Sequence, residues 1–245
     1  MPLIFEMEFI LHPSQGRGTA DFGWLKSRHS FSFGHYYNPE RMGFGALRVL
    51  NDDRVAAGAG FGTHPHSNME IISIALKGDL QHRDSMGNTS VIRENDIQVM
   101  SAGSGITHSE MNANSDREVE FLQIWIIPQE HNVSPRYDQT RIEPAAIKNR
   151  WATLVAPRNQ DGPLWIHQNA WFSMADLDAT YELNYPVHSI SSGVYAFIIE
   201  GACEIQSLGM LQRRDAACIW NTESLTIHAK SQTKILLIEI PLNIH

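Results

Sequence analysis

Two short pairs of polar side chains in the first half of the chain have the residue types and the spacing of metal ligands. His64 and His66 form the first pair and His108 and Glu110 the second, and in each pair one residue separates the two. Side chains at positions i and i+2 of a β-strand point to the same face, about 6.5–7 Å apart along the strand. If the two segments are neighbouring strands, three imidazoles and one carboxylate converge from two sides.

The chemistry of this ligand set is that of a divalent transition metal. Neutral imidazole suits iron, nickel, copper and zinc, and a single carboxylate lowers the net charge of the ion without filling its coordination sphere. Ligands on one side leave positions open for a substrate or for dioxygen. A single His-x-His pair is often an accident of a surface or a core, but two pairs that each follow a glycine-rich turn favour a metal site.

The segments that must position these ligands are predicted to be β-strands. Most periodic segments are short and alternate between apolar and polar residues, glycines separate many of them, and long helical patterns are scarce. Strands and turns at this spacing are typical of an all-β sandwich or barrel. Eight examples of such predicted strands are residues 47–51, 71–76, 90–93, 97–100, 119–127, 194–199, 216–219 and 235–240.

A weak internal repeat predicts two such units. In each half a strand leads to a turn glycine, Gly78 or Gly201, and later to a turn aspartate, Asp96 or Asp215, before another strand. The stretch 128–150 interrupts this rhythm because it is polar, turn-rich and contains several prolines, so we interpret it as the connection between the units.

We therefore predict an all-β chain with two small β-barrels in tandem. The N-terminal domain, which would bind the metal, is expected at residues 1–139, and the C-terminal domain at residues 140–245.

Composition and charge exclude several classes of protein. The 245 residues include 19 Lys+Arg and 27 Asp+Glu, for a formal net charge of -8, and 42% are hydrophobic. This is the composition of a globular protein rather than of a disordered chain. The acidic balance argues against a direct nucleic-acid partner and against an anionic membrane surface. Cys203 and Cys218 are too few for a disulfide scaffold or a thiolate metal site.

We expect a cytoplasmic location. The apolar first 13 residues contain Glu6 and Glu8 and lack a basic segment, which makes them a poor signal peptide. No apolar run approaches the ~18 residues of a membrane-spanning helix.

The histidine motifs resemble those of the cupin superfamily, and more closely those of the pirin family of bicupins. The first motif is His-x-His-x3-Glu, ending at Glu70, and the second is Gly-x-x-His-x3-Asn, ending at Asn112. The resemblance is strong over about residues 10–140 and weak beyond. The stretches that carry it are residues 28–33, 36–39, 64–66, 108–110 and 121–128.

The resemblance implies a fold, a cofactor and two kinds of function. Pirin-like proteins are bicupins, with two barrels that are each a double-stranded β-helix. Their N-terminal barrel holds one metal, usually iron, on ligands that correspond to His64, His66, His108 and Glu110. Nickel, copper, manganese and zinc also accept this ligand set. Bacterial members cleave flavonols such as quercetin with dioxygen, whereas vertebrate members act as transcription cofactors.

We therefore expect a quercetin 2,3-dioxygenase whose partners are a small flavonol-like aromatic molecule and dioxygen. The alternative is a non-catalytic, metal-binding regulator or redox-responsive module that binds a protein partner. A cupin isomerase or a metal-dependent hydrolase would keep the site without the dioxygen chemistry.

In the dioxygenase, Glu110 or a neighbouring carboxylate would take the proton of the flavonol 3-hydroxyl as general base. Aromatic residues either line a slot for the flat substrate or belong to the barrel core; they are Phe31, Phe33 and Trp125. His29 and His35 lack ligand spacing, and a role in the pocket stays open for both.

Glu70 is a further candidate, because it has the same strand parity as His64 and His66. In many cupins this glutamate is a metal ligand. In pirin-like proteins, which this chain resembles, the glutamate of the second motif is the ligand instead. A direct ligand and a supporting or structural role both stay open for Glu70.

The second half is expected to lack a metal. Counting from the repeated glycine and aspartate, we find Val187, Ser189, Ile227 and Ala229 at the four ligand positions. His188 and His228 fall one residue away, and a slip of one residue turns a strand side chain to the opposite face.

Overall fold

The computed structural model describes residues 6–243, and it is composed almost entirely of β-strands. Residues 1–5, part of the segment judged a poor signal peptide, lie outside the described residues. In chain order the strands are β1 (Glu8–His12), β2 (Gly18–Asp21), β3 (Leu25–His29), β4 (Leu47–Val55), β5 (Gly60–His66), β6 (Glu70–Lys77), β7 (Leu80–Asp84), β8 (Thr89–Ile92), β9 (Asp96–Ser101), β10 (Ile106–Asn112), β11 (Val119–Ile126), β12 (Arg136–Arg141), β13 (Ala152–Pro157), β14 (Leu164–Ile166), β15 (Trp171–Leu177), β16 (Glu182–Pro186), β17 (Ser192–Glu200), β18 (Ala202–Ile205), β19 (Gly209–Gln212), β20 (Ala216–Trp220), β21 (Ser224–Ala229) and β22 (Thr233–Pro241).

All eight predicted strands are present, and the helices are short. One α-helix spans Pro144–Ile147 and one 3-10 helix spans Ser14–Gly16. Across residues 6–243, no helix combines the length and the apolar character that crossing a membrane requires.

The chain divides into two compact units. The N-terminal unit contains residues 17–142 and 164–168, and the C-terminal unit contains residues 6–16, 143–163 and 169–243. This division differs from the predicted ranges in three segments, which are residues 6–16, 140–142 and 164–168. Strand β1 belongs to the C-terminal unit because it pairs antiparallel with β20, and residues 164–168 belong to the N-terminal unit.

Hydrogen bonds explain why residues 164–168 belong to the N-terminal unit. The Arg136 guanidinium lies 3.9 Å above the Trp165 ring and donates to the Trp165 carbonyl oxygen at 2.7 Å. The Gln129 backbone N–H donates to the His167 carbonyl oxygen at 2.7 Å.

The stretch 128–150 is more than the connection that its prolines and polar residues indicated. It contains β12, which pairs antiparallel with β9 along its whole length, as well as the short α-helix. No residue of β12 is fully buried, so its sequence lacks the apolar alternation by which the eight predicted strands were recognised.

Each unit consists of two antiparallel sheets with the same strand order. In the N-terminal unit the larger sheet runs β12-β9-β6-β11-β4-β3-β2 and the smaller sheet β5-β10-β7-β8. In the C-terminal unit the corresponding orders are β1-β20-β17-β22-β15-β13 and β16-β21-β18-β19. The predicted all-β fold with an internal repeat is therefore confirmed.

A polar layer crosses the interior of the N-terminal unit. Strand β6 places Ile71 in one apolar cluster, Ala75 in another, and Ser73 between them on the same face. Gln123 has the same intermediate position on β11, where it pairs with Ser73. The other buried polar members are His82, Gln98, His108 and Glu110.

The matching layer of the C-terminal unit is apolar. Strand pairing places Ala196 opposite Leu237 and Ile205 opposite Ile227, all within one continuous apolar cluster. The same unit contains Cys203 and Cys218, which are buried free thiols.

Strand pairing also revises the positions obtained by counting. It makes Tyr185, Val187, Leu225 and Ile227 the counterparts of His64, His66, His108 and Glu110, two residues before the positions predicted from the repeat.

Candidate metal centre

Strands β5 and β10 bring the two sequence motifs together. They pair antiparallel, and His108 lies directly opposite His64. Along β10, buried residues alternate with more exposed ones, so that His108 and Glu110 both point to the interior. The expectation that the two segments are neighbouring strands is therefore confirmed.

A β-bulge separates the two inward side chains of β10. The register shifts between His108 and Glu110, so that Glu110 pairs with Phe61 rather than with the residue two places before His64. Gly60 allows the close approach at this point, because a Cβ atom on it would lie 2.3 Å from the Glu110 carbonyl oxygen.

Three histidines, two on β5 and one on β10, converge on one point. The ring centroids of His64, His66 and His108 are separated by 4.5 Å, 4.9 Å and 4.9 Å. One nitrogen from each ring lies within 4.8 Å of the others, a distance that a single coordinated ion can bridge.

The hydrogen bonds of these rings leave nitrogens available for an ion. His64 Nδ1 donates to the Gly62 carbonyl oxygen at 2.8 Å, which directs the other nitrogen away from the backbone. His108 is 1% exposed, and neither of its ring nitrogens has a hydrogen-bond partner among residues 6–243. Such a buried polar group is costly unless a ligand satisfies it, so these residues fit a metal ion.

Burial keeps the imidazoles of His66 and His108 neutral. It lowers the pKa of His66 to about 4, with a further contribution from His64, and the pKa of His108 to about 3, with contributions from His64 and His66. Neutral imidazole is the form that binds a transition metal, so these two rings need no deprotonation at neutral pH to bind one.

Glu110 lies in a second, overlapping group of potential ligands. Its carboxylate oxygen and one nitrogen each of His82 and His108 lie within 4.8 Å of one another. The structure thus brings three of the four predicted ligands together directly, and Glu110 joins them through His108.

Two polar side chains hold the Glu110 carboxyl. Gln123 Nε2 donates to Glu110 Oε2 at 2.5 Å, and Ser73 Oγ lies 3.1 Å from Glu110 Oε1. Complete burial raises the pKa of Glu110 to about 7, against the opposing effect of these hydrogen bonds. Glu110 therefore exchanges its proton near neutral pH.

Sequence reasoning missed His82. It is fully buried, its Nε2 lies 3.1 Å from Asp84 Oδ2, and its ring stacks on Tyr137 with centroids 4.4 Å apart. Burial lowers its pKa. The only signal in the sequence is the alternation along β7, which places His82 on the same face as the buried Leu80.

Glu70, for which a ligand role was left open, interacts with other residues. Its Oε2 accepts a hydrogen bond from Ser101 Oγ at 2.7 Å, and its Oε1 lies 3.2 Å from His167 Nδ1. Glu70 belongs to neither group of potential ligands found among residues 6–243.

A cavity of about 300 Å³ opens beside the histidines. Trp125 and Phe33 contribute to its wall, with ring centroids 5.4 Å apart and nearly perpendicular planes. Phe31 is 1% exposed and does not line the cavity, so it belongs to the core. Other residues that line the cavity include Trp24, Ser27, His29, His35, Tyr36, Asn51, Asp53, Phe61, His64, Glu110 and Gln123.

Two family models match the chain. The model described as Pirin matches residues 11–126, and the model described as Quercetinase C-terminal cupin domain matches residues 153–240. A protein named quercetin 2,3-dioxygenase from Escherichia coli (strain K12) is 39% identical over 235 residues, which cover 94% of this chain and 98% of that protein. A pirin-like protein from Caulobacter vibrioides is 36% identical over 228 residues, covering 93% of this chain and 97% of that protein.

Solved structures share the fold over nearly the whole chain. The crystal structure of YhhW from Escherichia coli has a TM-score of 0.91 at 38% identity and covers 97% of this chain and 100% of that chain. The structure of the bacterial pirin YhhW in complex with nickel(II) has a TM-score of 0.91 at 37% identity, covering 96% of this chain and 100% of that chain. These matches confirm the bicupin fold, and together with the family models they show that the chain belongs to the pirin family.

Proposed function

We propose that this protein is a metal-dependent dioxygenase that opens the heterocyclic ring of quercetin-like flavonols, that is, a quercetin 2,3-dioxygenase. His64, His66, His108 and Glu110 would hold one divalent transition metal, with Fe(II) as the first candidate and nickel, copper, manganese or zinc as alternatives. The observation that carries the proposal is His108, whose two buried nitrogens lack hydrogen-bond partners among residues 6–243 while the ring faces His64 and His66.

The ligand side chains are suited to this task in their protonation states. When bound, the ion would supply Lewis acidity and open coordination positions for the flavonol 3-hydroxyl and for dioxygen. The lowered pKa values of His66 and His108 keep both rings in the neutral, ligating form. The relative in complex with nickel(II) supports a divalent ion in this family.

Glu110 is proposed as the general base. As an ionised carboxylate it would take the proton of the flavonol 3-hydroxyl, and Gln123 holds the carboxylate in place. The enolate that results is electron-rich and reacts with dioxygen. Two carbon–carbon bonds of the heterocycle break, both oxygen atoms enter the product, one carbon leaves as carbon monoxide, and Glu110 returns the proton.

The cavity is proposed to hold the flat aromatic substrate. Trp125 stands edge-on to His66, with centroids 5.0 Å apart, and Phe33 stands edge-on to Trp125. Aromatic rings at this spacing offer a planar ligand apolar contact and exclude water from the histidines.

A turnover assay tests the proposal. Protein loaded separately with Fe(II) and Ni(II) is incubated with quercetin in air, and the loss of the visible absorbance of quercetin is followed together with the release of carbon monoxide. We expect turnover by the wild type and its loss in His64→Ala. Wild-type protein that contains stoichiometric metal but converts no faster than His64→Ala would exclude the dioxygenase.

In that event, a metal-binding regulator becomes the better proposal. It requires that metal loading change the affinity for a protein partner in a pull-down experiment. A cytoplasmic location, expected from the sequence, belongs to either proposal.

A further inference from the structure

Asp53 is a buried carboxyl group that the proposed metal centre does not use. It lies on β4, is 3% exposed and lines the cavity together with Glu110. Among residues 6–243 it forms no ion pair, and its Oδ1 has no hydrogen-bond partner. Burial of an unpaired carboxyl oxygen is unfavourable. An unpaired oxygen beside a cavity therefore indicates a donor that arrives with a ligand.

Neighbouring strands fix the position of Asp53. Ser27 lies opposite it on β3 and donates a hydrogen bond to its carboxyl. The Ser27 hydroxyl also lies 3.2 Å from His29 Nδ1, which lies 2.8 Å from Asn51 Oδ1. Burial lowers the pKa of His29, so this row of polar groups contains no cationic partner for Asp53, which is its only carboxyl group. Ser27, His29, Asn51 and Asp53 all line the cavity.

The remainder of the cavity wall is aromatic. Trp24 and Phe61 meet edge to face with centroids 5.3 Å apart, and the ring of Tyr36 is stacked with that of His29 at 6.4 Å. A ligand that satisfies both parts of this wall is a flat ring that carries a hydroxyl group as hydrogen-bond donor.

We propose that Asp53 accepts a hydrogen bond from a ring hydroxyl of the substrate, and so makes the cavity selective for hydroxylated over unsubstituted aromatic rings. The inference rests on the proposed function, because it assumes that the 3-hydroxyl of the same molecule is bound at the metal centre. Asp53 belongs to the larger sheet and Glu110 to the smaller one, so the two carboxyl groups approach the cavity from different sheets.

Binding without turnover tests the selectivity. Metal-loaded protein is titrated anaerobically with quercetin and with 3-hydroxyflavone, which retains the 3-hydroxyl but lacks the other ring hydroxyls, and tryptophan fluorescence is followed. The titration is done at pH 8, above the pKa of about 7 that burial gives Asp53, so that its carboxylate is ionised. A hydrogen bond to a charged group contributes about tenfold or more to affinity. We expect wild type to prefer quercetin by this factor and Asp53→Asn to lose most of the preference through weaker quercetin binding.

The matched control is Asp138→Asn, which removes an exposed carboxylate on β12 that does not line the cavity. It should leave both dissociation constants unchanged. The metal content and circular dichroism of all variants should match those of wild type.

Three outcomes would overturn the inference: equal affinity of wild type for the two ligands, equal weakening of both in Asp53→Asn, or no saturable binding of either. The wild-type comparison needs no variant, so a folding defect in Asp53→Asn does not prevent the test. Selective binding that depends on Asp53, without turnover in air, would refute the dioxygenase but retain this subsite. Turnover in air together with unchanged selectivity in Asp53→Asn would support the dioxygenase and refute this subsite.

Discussion

His64 and His108 face each other across the β5–β10 ladder, directly in register, with ring centroids 4.5 Å apart. Residues that are far apart in the chain thus become neighbours through backbone pairing alone. The proposed metal centre depends on this register, because a slip of one residue would turn His108 to the other face of the sheet.

Loss of a central ligand should abolish metal binding. In His108→Ala we expect most of the metal to be lost, whereas wild type should retain near-stoichiometric metal in elemental analysis after dialysis. Glu70→Gln is the matched control, since Glu70 interacts with Ser101 and His167 instead. Retention of metal by His108→Ala, or its loss from Glu70→Gln, would refute the ligand assignment.

Metal uptake should release a proton from Glu110 at mildly acidic pH. The pKa of Glu110 is about 7 without metal, and a ligating carboxylate is ionised, so metal binding displaces a proton below this pH and little above it. Calorimetry in two buffers of different ionisation enthalpy measures the number released. We expect the number released at pH 6 to exceed that at pH 8, and this excess to be larger by nearly one proton in wild type than in Glu110→Gln. An identical count at both pH values in wild type would contradict the raised pKa.

The contribution of Glu110 to the stability of the metal-free protein should fall as pH rises from about 4.5 to 7. Burial raises the pKa of Glu110 to about 7, so this carboxyl binds more protons in the folded state than in the unfolded state in this range, whereas His66 and His108, whose pKa values are lowered, bind fewer. The Glu110 contribution is fully present below its unfolded pKa and is lost as pH passes its folded pKa. Urea unfolding of wild type and Glu110→Gln at several pH values isolates it, because the histidines are common to both proteins: the stability of wild type relative to the variant should fall across this range. A difference in stability that does not change with pH would contradict the raised pKa of Glu110.

Gly60 should be far less tolerant of a side chain than its neighbour Gly62. A Cβ atom on Gly60 would lie 2.3 Å from the Glu110 carbonyl oxygen and 2.5 Å from Met111 Cα, whereas one on Gly62 would meet nothing within 4 Å. Gly60→Ala would therefore push β5 away from β10, and we expect a stability loss of about 1–3 kcal/mol and weaker metal binding.

Gly62→Ala serves as the control, with a change expected within about 0.5 kcal/mol. Thermal unfolding and metal affinity of both variants can be compared directly. Equal behaviour of the two would mean that the close β5–β10 approach does not support the centre.

Local sequence patterns were sufficient to predict eight of the 22 strands in residues 6–243, the repeat and the two histidine motifs. Alternation identifies a strand without knowledge of its neighbours, and i, i+2 spacing places His64 and His66 on one face whatever strand lies beside them. The same reasoning left β12 unrecognised, because an exposed polar strand shows no alternation.

Tertiary structure alone decided the surroundings of the motifs. His82, Ser73 and Gln123 are single polar residues in separate strands, and only the sheet order brings them to Glu110. The bulge after His108, the unpaired oxygen of Asp53 and the place of β1 in the C-terminal unit likewise depend on pairing between distant segments. The sequence by itself determined which faces carry ligands, because side-chain direction is a local property of a strand. It could not determine which faces meet, because strand pairing and register arise from contacts across the whole chain.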